Sequence, residues 1–225
     1  MKFRTLKANE IDCRINTINE KGLTLLLYKD ARVDQNILDE TVGSMNWQRK
    51  HTRDNANCIV SIWDSNKMQW IEKEDTGTES FSEAEKGLAS DSFKRACFNW
   101  GIGRELYTSP FIWINAKDCE IKPNPKDKDK FICYDKFVVK EIDYDENNEI
   151  VKLVIKNDKT GNVVFTYDGT KKQEADERIV LYNTISKLTA KKKVLPNEIS
   201  EHFKKSSNDM TLEELKEVIT WLEEK

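Results

Sequence analysis

A chain of 225 residues suits one sizeable domain with an appendage, and 38% hydrophobic residues can build a core beneath a surface that 34% charged residues make strongly polar. The formal net charge is only −3, which excludes a global cationic field, so any site for nucleic acid must be local. Five cysteines, at 13, 58, 97, 119 and 133, contain no CxxC pair. They give neither a disulfide framework nor a zinc site, and they suit a reducing cytoplasm. The N-terminal MKFRTLKANEID lacks the apolar run of a signal peptide. No segment reads as membrane-spanning, so the expectation is a cytoplasmic protein with no membrane partner.

Along the chain, residues 10–18 alternate, with Ile11, Cys13 and Ile15 on one face and Asp12, Arg14 and Asn16 on the other. This predicts a half-buried strand. Asn19-Glu20-Lys21-Gly22 reads as a turn, and Leu23 to Tyr28 as the hairpin partner. With Leu23, Leu25 and Leu27 buried, Leu26 and Tyr28 would accompany Arg14 outward. Asp30 can cap a helix carrying Val33, Ile37 and Leu38 that Gly43 ends. Three strands follow near 45–53, 57–64 and 68–75, with Asp64-Ser65-Asn66-Lys67 as a turn. In the first of them Arg49, His51 and Arg53 would share a face beside Trp47; an ordinary charged solvent face is the alternative. A long helix is expected from about Ser82 to Trp100, broken by Gly101 and Gly103.

Residues 117–130, KDCEIKPNPKDKDK, read as an exposed connection. FVVKEIDY, EIVKLVIK and NVVFTY predict a three-stranded meander. Residues 174–190 form a helix, Pro196 suits the first turn of a second, and Thr211-Leu-Glu-Glu214 is a capping box for a third. Leu212, Leu215, Val218, Ile219 and Leu222 give the third helix its apolar stripe. The order β-β-α-β-β-β-α, then a meander and helices, is an α+β pattern. It divides as 1–115 for the core, 116–172 for linker and meander, and 173–225 for a helical segment.

Familiar reaction chemistry is missing. There is no phosphate loop, GxG at 101–103 follows a helix, and His51 and His202 lack metal-site spacing. Glu72, Glu74 and Asp75 admit two readings: carboxylates of a magnesium-dependent nuclease, or a solvated strand end. No hydroxyl has an identifiable base. The sequence favours a binding protein over an enzyme, with no cofactor.

On a wheel of roughly 100° per residue, Ala89, Phe93, Ala96 and Trp100 of the long helix form a core stripe. Gly87, Asp91, Lys94, Arg95 and Phe98 collect opposite. Phe98 is therefore expected to be exposed between cations. One reading is ordinary surface, with Asp91 pairing Arg95 at i,i+4. The other is a phosphate-binding strip beside an aromatic, which suits single-stranded nucleic acid.

Three segments then resemble the Rad fifty-two superfamily of single-strand annealing proteins, particularly short phage members of the Sak type. They are Ile11-Asp12-Cys13-Arg14; Tyr28 through Arg32-Val33, Leu38, Gly43 and Trp47; and Asp75-Thr76-Gly77 followed by the helix with Asp91, Lys94-Arg95-Ala96 and Trp100-Gly101. The resemblance covers about residues 8–107. It implies rings or filaments of identical subunits that carry single-stranded DNA, bases outward, in a basic groove between hairpin and helix. It also implies ATP-independent strand annealing in phage-type recombination and repair inside a bacterial host. By position, Arg14, Tyr28, Lys94 and Arg95 match groove residues. Phe98 stands where the family has a further basic residue, and Arg104 or the strand with Arg49 and Arg53 could take over that role. That departure keeps open a non-annealing protein on the same fold that binds DNA ends, RNA or a partner. The C-terminal helices read as a small core or as a dock for a host single-strand binding protein.

Overall fold

The computed structural model describes residues 1–78 and 84–225, and the chain has the α+β class its sequence predicts. The hairpin pairs β1 (Asp12–Asn19) with β2 (Gly22–Tyr28), setting Arg14 opposite Leu26 and Asp12 opposite Tyr28. A bulge between Ile15 and Thr17 makes Asn16 the extra residue and reverses the inward parity, so Ile18 points inward after it. The Asp30 carboxylate accepts from the Arg32 N–H at 2.8 Å and opens α1 (Ala31–Val42). Gly43, at φ 84°, closes that helix.

The strands β3 (Trp47–Thr52), β4 (Asn57–Asp64) and β5 (Gln69–Thr76) form a separate antiparallel sheet in the order β3-β4-β5. Cys58, Val60 and Ile62 are buried on one face. Against that face lies α2 (Ala84–Trp100), which buries Phe93, Ala96 and Cys97. Its expected start at Ser82 lies outside the described residues. Gly77 explains the close approach: a Cβ there would come within 2.5 Å of the Ser92 amide nitrogen. Only glycine lets the end of β5 meet the helix backbone.

Two expectations for β3 need correction. The strand ends at Thr52, and Arg53 lies in the following turn with φ 50°, so Arg53 does not share a strand face with Arg49. The face itself is not plain solvent surface: the Arg49 guanidinium sits 4.8 Å over the buried Phe93 ring.

A further short strand, β6 (Ile112–Asn115), pairs with β2. Residues 117–130 are not a bare connection, because β7 (Ile121–Asn124) and β8 (Asp127–Cys133) pair as a hairpin. Pro123 fits there because a two-stranded ribbon leaves an outer side that needs no N–H donor. The expected meander is β9 (Phe137–Tyr144), β10 (Ile150–Asn157) and β11 (Val163–Asp168). It joins the first hairpin through β1, giving a six-stranded sheet ordered β11-β10-β9-β1-β2-β6.

The chain forms two compact units, residues 1–167 and 168–225. The second contains α3 (Thr170–Lys192), α4 (Pro196–Phe203) and α5 (Leu212–Glu224). Thr211 and Glu214 cap α5 reciprocally, at 3.2 Å and 2.6 Å. Leu215, Val218 and Leu222 are buried against Ile185, Ile199 and Met210. Among the described residues no helix is long and apolar enough to cross a membrane.

Candidate nucleic-acid interface

The first unit carries a groove of about 890 Å³ between β2, the outer side of α2 and the segment 102–112. The hairpin supplies Leu26 and Tyr28, 53% and 43% exposed. Strand alternation aims both outward once Leu23 and Leu25 are committed to the core. The helix supplies Asp91, Lys94, Arg95, Phe98 and Asn99, one turn apart along a single face. Two stretches more than 60 residues apart in sequence thus meet across one concavity, as Tyr28 and Lys94 illustrate.

The cations differ in their freedom. Lys94 has no ion-pair or hydrogen-bond partner among the described residues; its charge adds to the Arg32 hydrogen bonds that hold the Asp30 carboxyl low, and it opposes the rise that burial imposes on Asp34. Arg95 lies 3.2 Å from the Asp75 carboxylate through Nε, so the expected pairing with Asp91 is corrected. Asp91 instead accepts from the Thr78 N–H at 2.9 Å, which helps to tie the stretch after β5 to α2. Arg14 stands across the hairpin from Leu26, exposed and without a partner among the described residues. It is not among the residues lining the groove, but its charge reaches Tyr28. Burial and Asp12 push the Tyr28 hydroxyl above its ordinary value, and Arg14 opposes them.

Phe98 lines the groove but is half-buried rather than exposed. Its ring lies 4.9 Å from that of Tyr107, and the Arg104 guanidinium sits 5.4 Å above it. The wheel could not anticipate this, because the covering residues come from the 3-10 turn Arg104–Thr108. Arg104 also donates to the Phe98 and Asn99 carbonyls at 2.8 Å and 3.0 Å. These carbonyls also accept from the Gly101 N–H at 2.9 Å and the Lys73 ammonium at 2.8 Å, so Arg104 adds a second donor to each and places a cation at the negative end of the helix dipole. Arg104 sits behind Phe98 and does not line the groove. Neither do Arg49 and Arg53, which belong to the β3 side of the sheet.

Sequence reasoning missed what lies along and beneath this surface. Tyr107 and Phe111, each 77% exposed, line the groove. Lys29 also borders it, but is buried and paired with the fully buried Asp34. Burial pushes the Asp34 carboxyl up to about 6, against the opposing pull of Lys29. Its second oxygen, Oδ2, has no hydrogen-bond partner among the described residues. Gly103, at φ 79°, makes room for the lysine: a Cβ there would come within 2.2 Å of Lys29 Cε. The available signal was the spacing of Lys29 and Asp34 across the start of α1, which propensity reads only as capping.

The acidic cluster does not assemble. Strand alternation places Glu72 and Glu74 on one face of β5 and Asp75 on the other. Glu72 accepts from the Ser61 hydroxyl at 3.2 Å and Glu74 from Asn57 at 2.7 Å, while Asp75 faces α2 and Arg95. Among the described residues no group of three His, Cys, Asp or Glu is placed to hold a metal ion. The five cysteines are free thiols.

Fold and site together define an α+β protein with a groove that joins cations to exposed rings, a surface suited to an extended polyanion with flat, apolar-faced groups. The model of the Rad52/22 family double-strand break repair proteins matches residues 4–124; this is more than half of the chain, which belongs to that family. The match contains the hairpin, α1, the three-stranded sheet, α2 and every residue lining the groove. No curated protein and no solved structure matches the chain. Membership assigns the protein to DNA recombination and repair.

Proposed function

We propose that the protein binds single-stranded DNA and anneals complementary strands without ATP, acting as an oligomer in phage-type recombination. One observation carries this reading: the groove joins Tyr28 of the hairpin to Lys94, Arg95 and Phe98 of α2. Lysine and arginine neutralise phosphates without reading sequence. A strand gripped by its backbone keeps its pairing edges available to a complement. A single subunit's groove offers few cations for phosphates, the unpaired Lys94 and the Asp75-paired Arg95, so a ring or filament that repeats the groove would supply the avidity.

The direct test mixes two complementary oligonucleotides with the protein and no nucleotide. Faster pairing is expected, and an unchanged pairing rate overturns the proposal. Replacing Lys94 and Arg95 together by alanine should weaken strand binding. It should also lower the slope of log affinity against log salt by about 1 for each phosphate no longer neutralised. A slope identical to that of the unaltered protein removes the groove from the reading. The alternative of a magnesium-dependent nuclease has no such support, because Glu74 and Asp75 face opposite ways along β5.

A further inference from the structure

We propose that Tyr107 and Phe111, with Phe98 behind them, form a stacking wall that holds unpaired nucleobases of a single strand by their faces. This rests on the strand-binding reading above and names which part of the strand the second wall of the groove receives.

The groove is chemically two-sided. Its cations, Lys94 and Arg95, lie on α2, while Tyr107 and Phe111 lie on the segment that follows the helix. Both rings are 77% exposed. Isolated exposed aromatics are ordinary on protein surfaces. These two are not isolated, because they line one concavity with Phe98, Leu26 and Tyr28.

The wall is also held in place. The Phe98 and Tyr107 rings meet at 58° with centroids 4.9 Å apart, a tilted pairing that fixes the tyrosine plane. Arg104 braces Phe98 from above and clamps the helix end through two carbonyls. Phe111 follows Pro110 and immediately precedes β6, which is bonded to β2, so its backbone is fixed by proline on one side and by the sheet on the other.

A polyanion alone would need only the cations. A chain carrying a flat π-system beside each phosphate would use both walls, and single-stranded nucleic acid has that chemistry. Stacking engages the face of a base and leaves its Watson–Crick edge open. The wall therefore adds affinity without blocking pairing, and it does so for every base alike.

The test uses the full chain and two labelled oligomers of equal length, oligothymidylate and a version carrying abasic residues, followed by fluorescence anisotropy. The unaltered protein should prefer the base-bearing oligomer by roughly 5- to 150-fold for each base that stacks. Tyr107→Ala and Phe111→Ala should each reduce that preference while leaving abasic affinity and the salt slope unchanged. Tyr107→Phe keeps the ring and should keep the preference. Both side chains are exposed, so the variants should fold, and circular dichroism checks that they do.

Equal binding of the two oligomers by the unaltered protein overturns the stacking wall and leaves strand binding intact. Binding of neither overturns the strand-binding reading itself. An alanine variant that weakens both oligomers alike, or that changes the size of the assembly without touching the base preference, overturns the wall in favour of a contact between copies of the chain.

Discussion

The two compact units bury different kinds of residue. In residues 168–225 the fully packed side chains are apolar, from Ile185 to Leu222. In residues 1–167 the core also takes in Thr24, Lys29, Asp34, Ser61, Ser92, Glu105 and Asn157; among the described residues every buried polar group belongs to this unit. The helical unit is specified by local signals and a hydrophobic stripe. The first unit depends on polar groups that must meet across the chain. Glu105 accepts from the Leu6 N–H at 2.7 Å, Ser92 donates to the Asn55 carbonyl at 3.0 Å, and Lys29 reaches Asp34 beside the groove. Buried polar groups are costly unless satisfied, and two of these residues, Thr24 and Lys29, line the proposed binding surface.

The largest expected effect comes from breaking the pair in the first unit. Asp34→Ala leaves the Lys29 ammonium buried and uncompensated, and should lower unfolding stability by about 3–5 kcal/mol in urea titration. Replacing both partners with apolar residues, Lys29→Met with Asp34→Leu, should recover most of that loss. If the double variant is as unstable as the single one, the cost lies in packing rather than in the stranded charge.

Leu215→Ala probes the contrasting kind of core and should cost about 2–5 kcal/mol through reduced burial and a residual cavity. It has no polar rescue, so no second substitution by charge removal should restore it. A loss well under this range would mean that the helical unit closes around the shortened side chain. Thr211→Ala should cost about 0.5–2 kcal/mol, because it removes the acceptor for the Glu214 N–H at the start of α5. Thermal unfolding followed by far-ultraviolet circular dichroism reads both.

The smallest effect is a pH dependence confined to the first unit. Burial raises the Asp34 carboxyl to about 6 in the folded protein, above its unfolded value near 4. The folded state then binds the proton more tightly, so this group favours folding below that window. Its contribution is lost as pH rises from about 4 through 6. Carboxylates held low act the other way: Glu10, drawn down chiefly by its hydrogen bond to Arg4, supports the fold above its unfolded value and loses that support on acidification. Urea midpoints compared at pH 5 and 7.5 span the Asp34 window together with that of His51, whose imidazole burial holds below its ordinary value and which acts in the opposite sense; the part of the slope that the doubly apolar variant lacks is the Asp34 contribution. An unchanged slope would assign the dependence to other groups.

How much could be read in advance follows the same division. The capping box at Thr211 and Glu214, the Asp30 cap and the alternation of Ile11, Cys13 and Ile15 involve residues near one another in sequence, and each lies where the pattern put it. The meeting of Tyr28 with Lys94 and Arg95 came from a family resemblance and was beyond periodicity. Tyr107 and Phe111 were not foreseen, since a 3-10 turn and a short strand after a helix carry no periodic signature. Phe98 was misjudged because a helical wheel shows which way a side chain points and not what later folds over it. The β7–β8 hairpin was hidden by a lysine- and proline-rich composition that also suits a solvated ribbon.

The sequence by itself determined the α+β class, most element positions, the helix caps and the cationic face of α2, because these rest on nearest neighbours and on periods of two and 3.6 residues. Only the tertiary structure decided that the meander extends the first hairpin's sheet, that Lys29 and Asp34 are buried beside the groove, and that two exposed rings line the same groove as the cations. Those facts depend on which distant surfaces pack together, and burial, pairing and charge compensation acquire their energies only after that packing exists.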